Sequence, residues 1–274
     1  MRGPRLAARQ FARAAPGALP ATTARFSGYG LLSLPLESGD VFAFRHCAAS
    51  SLGPPFNCVW HREPDGRWTL HVDVAPARSC WPFLSPALAE VRVGEITLRW
   101  RGRHEVSVCA CDCRLNLAVR IAATPLTRML GAAATLVPPP LWRSPFALRA
   151  LGRAAGLATQ AGTLPLSGRA PAGHEYRLRP AAIWHVAAAA ATLAGRDLGS
   201  VALPPDPPRL GELALPRRAL LAALTEEYTT PAVDPAPPSR PYATPAVKPA
   251  PPAVKPAAPA VRPAPPSRPF NILW

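Results

Sequence analysis

The sequence predicts a mainly β protein, an antiparallel barrel or sandwich with a two-helix insert and disordered termini. Three observations carry this reading. Apolar residues alternate with period two through consecutive hairpin-like stretches at 57–74 and 96–121. Between 124 and 160 the period changes to that of a helix, twice, and each time a cap residue stands before a proline. The 38 prolines of the 274-residue chain crowd toward its end, with fifteen in 231–274, where they forbid both helix and sheet. The resulting division is a basic, disordered N-terminal extension at 1–25, a β-rich domain at 26–230 that contains the insert, and a disordered Pro-rich tail at 231–274.

The first hairpin is NCVWHREPDGRWTLHVDV (57–74). Pro64 fixes the first turn angle and Gly66 accepts positive φ, so the turn falls at Pro64-Asp65-Gly66. Closing it between Glu63 and Arg67 sets Arg62 opposite Trp68, Trp60 opposite Leu70, and Cys58 opposite Val72. One face then collects Cys58, Trp60, Trp68, Leu70 and Val72 and reads as core. The other collects Asn57, Val59, His61, Thr69, His71 and Asp73 and reads as the solvated face of a half-buried hairpin.

In the next unit, EITLRW sends Ile96, Leu98 and Trp100 one way, and RLNLAVRI alternates Leu115, Leu117, Val119 and Ile121 with polar neighbours. Between them, HEVSVCACDC puts Val106, Val108 and Ala110 on the apolar side and Cys109, Cys111 and Cys113 on the polar side. Along a strand, neighbouring thiols at this spacing stand about 7 Å apart. A closed tetrahedral metal site needs four ligands, and the sequence offers no fourth. The expectation is therefore reduced thiols on a strand face, with no metal.

Thr124-Pro125 and Ser144-Pro145 each open a helix, the side chain capping and the proline taking the first turn. Leu126, Met129, Leu130, Ala133 and Val137 form one apolar stripe, and Leu148, Leu151 and Ala155 another. Leu126, Met129, Leu130, Leu148 and Leu151 are expected to pack on the sheet, with Arg149 and Arg153 left outward to meet an anionic membrane surface. A further hairpin turns near Pro171-Ala172-Gly173. The alanine-rich 181–195 is read as a strand because it lies between Pro180 and the turn-like AGRDLG. RLGELALP is read as the last strand, with Pro216 opening a short helix to about Glu227.

The net charge of +15 divides into +5 for 1–25, +4 for 231–274 and +6 for the body, so the tails contribute much of the basicity. No Lys/Arg run, RNA-binding signature or zinc-finger spacing is present, and nucleic acid is not an expected partner. Six cysteines without a secretory signal suit a reducing, cytoplasmic setting, with peripheral contact to an anionic membrane at most. MRGPRLAARQFARAAPGALP is Arg-rich and acid-free and has the composition of an organellar transit peptide as well as of a disordered extension. No apolar run reaches the ~18 residues that span a bilayer. The tail repeats PAPPSRP at 235–241 and 263–269. This is a polyproline-type segment suited to spacing or to docking on an unknown protein. Gly-rich phosphate loops, G-x-S-x-G and H-E-x-x-H are absent, and no cofactor is expected.

The ordered motifs VWHREPDGRWTLHVDVAPARSC, TPLTRML, LWRSPFALRALG, LSGRAPAG, GRDLG and RLGELALP, spread over roughly 27–225, resemble a group of uncharacterised actinobacterial proteins. The strand-rich plan is distantly similar to the lipocalin-like carotenoid hydratase superfamily. That resemblance implies a lipocalin-like barrel, and no catalytic motif matches, so no residue's role is carried over from it. The residues themselves support binding of a hydrophobic small molecule, a lipid or isoprenoid, with Trp60, Trp68, Leu70 and Trp100 as candidate ligand-binding side chains. The alternatives are a hydratase-like enzyme using His71 and Asp73 as an acid–base pair with His61 assisting, or an interaction scaffold working through the Pro-rich tail.

Overall fold

A computed structural model describes Arg5 and residues 22–229 of the chain. The expectations for the rest of 1–21 and for the tail at 231–274 lie outside the described residues.

Among the described residues fourteen strands form in order: β1 (Thr23–Pro35), β2 (Val41–Ser50), β3 (Phe56–Arg62), β4 (Trp68–Val72), β5 (Glu90–Val93), β6 (Ile96–Arg101), β7 (Glu105–Ala110), β8 (Leu115–Ala122), β9 (Ser167–Arg169), β10 (Glu175–Leu193), β11 (Arg196–Asp197), β12 (Arg209–Leu210), β13 (Leu213–Ala214) and β14 (Leu220–Thr229). Within residues 22–229 the α-helices are α1 (Trp81–Leu84), α2 (Pro125–Leu136) and α3 (Pro145–Thr159). β1 begins inside the segment read as the N-terminal extension.

The main sheet runs β5-β4-β3-β2-β1-β14-β10-β8-β7-β6, with β9 and β11 paired to β10. It curls into a half-barrel whose two edge strands, β5 and β6, are consecutive in sequence. Only Gly94 and Glu95 separate them. Gly94 N–H donates to Val72 O, and Cys111 N–H donates to Glu95 O, so this two-residue crossing touches both ends of the sheet. The sheet is mixed rather than wholly antiparallel, because β4 and β5 pair in parallel. The intervening 73–89 carries the chain back over the sheet through α1, and this return permits the parallel pairing.

The β3–β4 hairpin has the expected register, Arg62 with Trp68, Trp60 with Leu70 and Cys58 with Val72. Its polar face, however, is not solvated: Val59, His61, Thr69 and His71 are all buried. Curling of the sheet brings β6, β7 and β8 round to the same side. Val59 then joins a core with Ile96, Val106, Val108, Leu117 and Phe42 on the concave side. The convex side carries a second core, in which Trp60, Trp68, Leu70 and Phe26 pack under Phe83 and Leu84 of α1.

The alanine-rich stretch is strand and turns back at Ala194-Gly195 as expected, but Pro180 does not bound it: β10 starts at Glu175 and passes through Pro180 at a bulge. The helix expected from Pro216 to Glu227 does not form. Residues 220–229 are β14, a central strand paired with both β1 and β10. A short, continuously apolar run such as LLAAL is ambiguous by periodicity, and burial on both faces selected the strand.

Both caps form. Thr124 Oγ1 accepts from Thr127 N–H at 3.2 Å and Ser144 Oγ from Ala147 N–H at 3.3 Å. The inward face of α2 differs from the expected one. Thr127 is buried and Leu130, Gly131 and Ala134 are partly buried, whereas Leu126 and Met129 face outward. Gly131 brings α2 close to β10, where a Cβ would stand 3.6 Å from Ala181 O, and the larger Leu126 and Met129 are turned outward. On α3, Leu148 is buried and Leu151 partly so, as expected, and Arg149 and Arg153 are exposed.

Candidate ligand cavity and the buried charge pairs

β1 lies between β2 and β14, and on its convex side residues 28 and 30 are glycines. A Cβ on Gly28 would stand 1.8 Å from His46 O, and one on Gly30 2.2 Å from Phe44 O. The close approach of β1 to β2 therefore admits no side chain there. Across this bare strip, Arg45 of β2 reaches Glu226 of β14, with Nη1 2.5 Å from Oε1. Both side chains are buried. Burial alone would lower the Arg45 pKa, but the Glu226 charge outweighs it and Arg45 is held more firmly protonated than usual. Burial raises the Glu226 carboxyl, against the pull of Arg45.

This pair sits in the wall of a cavity of about 120 Å³ on the convex face. Trp60, Trp68, Leu84, Tyr176, Ile183 and Tyr228 are among the side chains that line it. Burial raises the pKa of both tyrosines, with Glu226 adding to the effect, so their hydroxyls stay protonated. The Trp68 Nε1–H donates to Arg209 O at 2.7 Å, which ties β4 to the covering β12–β13 hairpin. The Trp60 Nε1–H is buried and has no acceptor among the described residues. A second, almost wholly apolar cavity of about 220 Å³ lies between α2, α3 and β10, and Pro180 and Ile183 line both.

Of the four candidate ligand-binding residues, Trp60 and Trp68 line the first cavity. Leu70 is fully buried beside them in the convex core without reaching it. Trp100 lies on the other side of the sheet, against Tyr29 at 5.5 Å between ring centroids.

His61, His71 and Asp73 line neither cavity, and no hydrogen bond joins them to one another; each has a different partner. His61 Nε2–H donates to Asp40 Oδ1 at 2.7 Å, Arg196 holds the other oxygen at 3.1 Å, and the ring stacks on Phe42 at 4.5 Å. Burial lowers the His61 pKa, opposed by Asp40. His71 Nδ1–H donates to Asp112 Oδ2 at 2.6 Å. Asp73 accepts from the backbone and side-chain N–H of Asn57, each at 2.7 Å. Asn57 also meets His46 at 2.8 Å and donates to Ile96 O at 3.2 Å, so the Asp73 carboxylate anchors the junction of β3 and β6. The expected His71–Asp73 acid–base pair is thus two separate structural contacts.

Strand β7 ends at Ala110, and Cys111 to Arg114 form a turn with Arg114 at positive φ. The turn rotates the last thiol off the face shared by the first two. Cys109 stays on the strand, Cys111 is exposed, and Cys113 packs against the concave core. It also carries Asp112 inward to His71, into space left by Gly94, where a Cβ would lie 2.9 Å from Asp112 Cβ. The donor atoms of His71, Asp112 and Cys113 lie within 4.8 Å of one another. Those three ligands leave a tetrahedral ion one short, burial pushes the Cys113 thiol up to about 12, and the Arg92 charge acts on the same carboxylate and thiol.

Arg45, Glu226, Asp40 and Asp112 were not among the candidates drawn from the sequence. Arg45 carries a signal: it is a lone charge in VFAFRHC, in phase with Val41, Ala43 and Cys47. Glu226 would have carried one had 220–229 been read as a strand, since it is in phase with Leu224 and Tyr228.

No family model matches this chain, and neither the curated proteins nor the solved structures contain a match to it. The class defined by fold and site is a curled, mainly β domain with an apolar cavity and a buried ion pair on its convex face. Among the described residues no helix is long and apolar enough to cross a membrane.

Proposed function

We propose that this protein binds a hydrophobic small molecule, a lipid or isoprenoid with one polar end, in the convex-face cavity. The observation that carries this reading is a buried Arg45–Glu226 pair in an otherwise apolar cavity wall. Taking two charges out of water costs several kcal/mol per ion, and apolar replacements are often as stable, so such a pair is poor at providing stability. In a ligand site it supplies what apolar walls cannot, a fixed donor and acceptor that orient a polar group. The unpartnered Trp60 indole N–H adds a second donor at the same wall. A cavity of this volume holds a ring or a short chain segment. The neighbouring apolar cavity, sharing Pro180 and Ile183, offers room for the remainder of a longer molecule.

Native mass spectrometry and organic extraction of protein purified from its own host test the reading directly. Tryptophan fluorescence titrated with fatty acids and isoprenoid alcohols of graded length provides a second arm. Saturable quenching, weakened when Arg45→Met and Glu226→Leu are combined, is expected. Protein that is ligand-free by extraction and silent to every probe would refute it. A hydratase-like reading is favoured at Glu226, the one carboxyl among the described residues that lines the cavity, with a pKa raised by burial. It requires turnover that Glu226→Gln abolishes while binding persists.

A further inference from the structure

The two helices of the insert are apolar on two sides. Inward, Leu130, Ala134, Leu148 and Leu151 lie on β10 or on the loops beside it. Outward, Leu126, Met129, Ala133 and Leu136 recur at three- and four-residue spacing on α2 and are all exposed. On α3, Phe146, Ala150, Arg153 and Leu157 do the same. Met129 is 69% exposed, Leu136 80%, Phe146 78% and Leu157 81%. Of the eight large apolar side chains exposed among the described residues, six belong to this insert: Leu126, Met129, Leu136, Leu141, Phe146 and Leu157. So dense a patch is a docking surface rather than the scattered exposure any surface shows.

Charge selects the occupant. Between Asp112 and Glu175 the sequence has no acidic residue, while Arg128, Arg143, Arg149 and Arg153 on the helices and their connection are all exposed. A second copy of the chain would set one arginine cluster against another across a two-fold contact. Leucine, methionine and phenylalanine flanked by arginines, on helices too short to span a membrane, match the requirements of the anionic bilayer interface. There the apolar stripe enters the acyl boundary and the guanidinium groups meet lipid phosphates.

We propose that the outer face of α2 and α3 docks the protein on an anionic lipid surface. The docking stands whether or not the convex cavity takes a lipid. If it does, the second cavity lies directly beneath the docked helices, lined by Leu130, Ala134 and Leu151 from the insert and adjoining the first at Pro180 and Ile183.

Co-sedimentation of the full chain with vesicles of phosphatidylcholine alone, and with roughly one-third phosphatidylserine, tests this. Binding is expected only to the anionic vesicles and is expected to weaken as salt rises. Each arginine near the surface contributes about a fivefold factor in affinity, so Arg149→Glu with Arg153→Glu should weaken binding by at least tenfold. Phe146→Ser with Leu157→Ser should also abolish it. Both variants alter exposed side chains only, and unchanged thermal unfolding verifies that the fold is intact. Equal binding to neutral vesicles, binding that survives either double substitution, or no binding to anionic vesicles would overturn the proposal. So would a stable dimer in solution that Phe146→Ser with Leu157→Ser dissociates.

Discussion

The two faces of the sheet bury charge in different ways. On the concave face, buried His61 meets Asp40 and buried His71 meets Asp112, and neither pair lines a cavity. On the convex face, Arg45 meets Glu226 at the wall of an open volume, beneath helices and loops that cover the sheet without filling it. The concave side is sheet packed on sheet as the half-barrel curls, so side chains from facing strands interdigitate. The convex side is sheet packed under α1, the insert and the β12–β13 hairpin, whose irregular undersides leave space. A place in a cavity wall, rather than the presence of ionisable groups, is what separates the Arg45–Glu226 pair from the two histidine pairs.

The largest expected effect breaks the convex pair on one side only. Glu226→Ala leaves a guanidinium buried without a counter-charge and should cost about 3–5 kcal/mol. Urea unfolding measures it, and a loss below about 1 kcal/mol would mean that Arg45 escapes to water. Replacing both partners together, Arg45→Met with Glu226→Leu, should leave stability close to that of the native protein, and that contrast separates a ligand device from a stabilising one.

On the concave side, His71→Ala strands the Asp112 carboxylate, whose Oδ1 already has no hydrogen-bond partner among the described residues. The expected loss is about 2–3 kcal/mol by the same unfolding assay, with no change in ligand affinity. An altered affinity would join the two faces functionally and undo the distinction drawn between them. Gly28→Ala should cost about 1–3 kcal/mol by forcing β1 from β2, and it should perturb binding because Arg45 and Glu226 move apart.

The histidines give the comparison a pH dependence. Burial lowers the pKa values of His61, His174 and His185 below the ordinary 6.5, with Asp40 opposing at His61 and Arg218 reinforcing at His185. The unfolded chain then binds more protons than the folded one, so stability is full above pH 6.5 and falls as the pH drops below it. Asp40 and Asp112 act in the same direction at lower pH. Burial opposes their ionisation, but their histidine partners, with Arg196 at Asp40 and Arg92 at Asp112, outweigh it and hold both below the usual 3.8. Their contribution is therefore full above 3.8 and is lost as the pH falls from there through their lowered pKa values. Thermal melts from pH 8 to pH 4 should show a progressive decline, steeper in the native protein than in His61→Asn. The smallest effect is at the insert. Thr124→Ala and Ser144→Ala should each cost about 1 kcal/mol, read most sensitively as faster hydrogen exchange in the first turns of α2 and α3.

By itself the sequence determined the elements whose signals are local. Pro64-Asp65-Gly66 and the flanking alternation gave the β3–β4 register residue for residue, and Thr124-Pro125 and Ser144-Pro145 placed two helix starts. The Ala194-Gly195 turn marked where an alanine-rich strand ends, whereas Pro180 lies inside β10, at a bulge against β14, and does not bound it. Tertiary structure decided the features that depend on a partner distant in the chain. LLAAL at 220–224 is strand because β1 and β10 take up both its edges. The face of His61 and His71 is interior because the sheet curls, and curvature is a property of the whole sheet that no single hairpin encodes. Asp40, Asp112 and Glu226 became partners of His61, His71 and Arg45 across 21, 41 and 181 residues of chain. An ion pair carries no periodicity, so nothing in the local pattern marks which carboxylate a buried cation will meet.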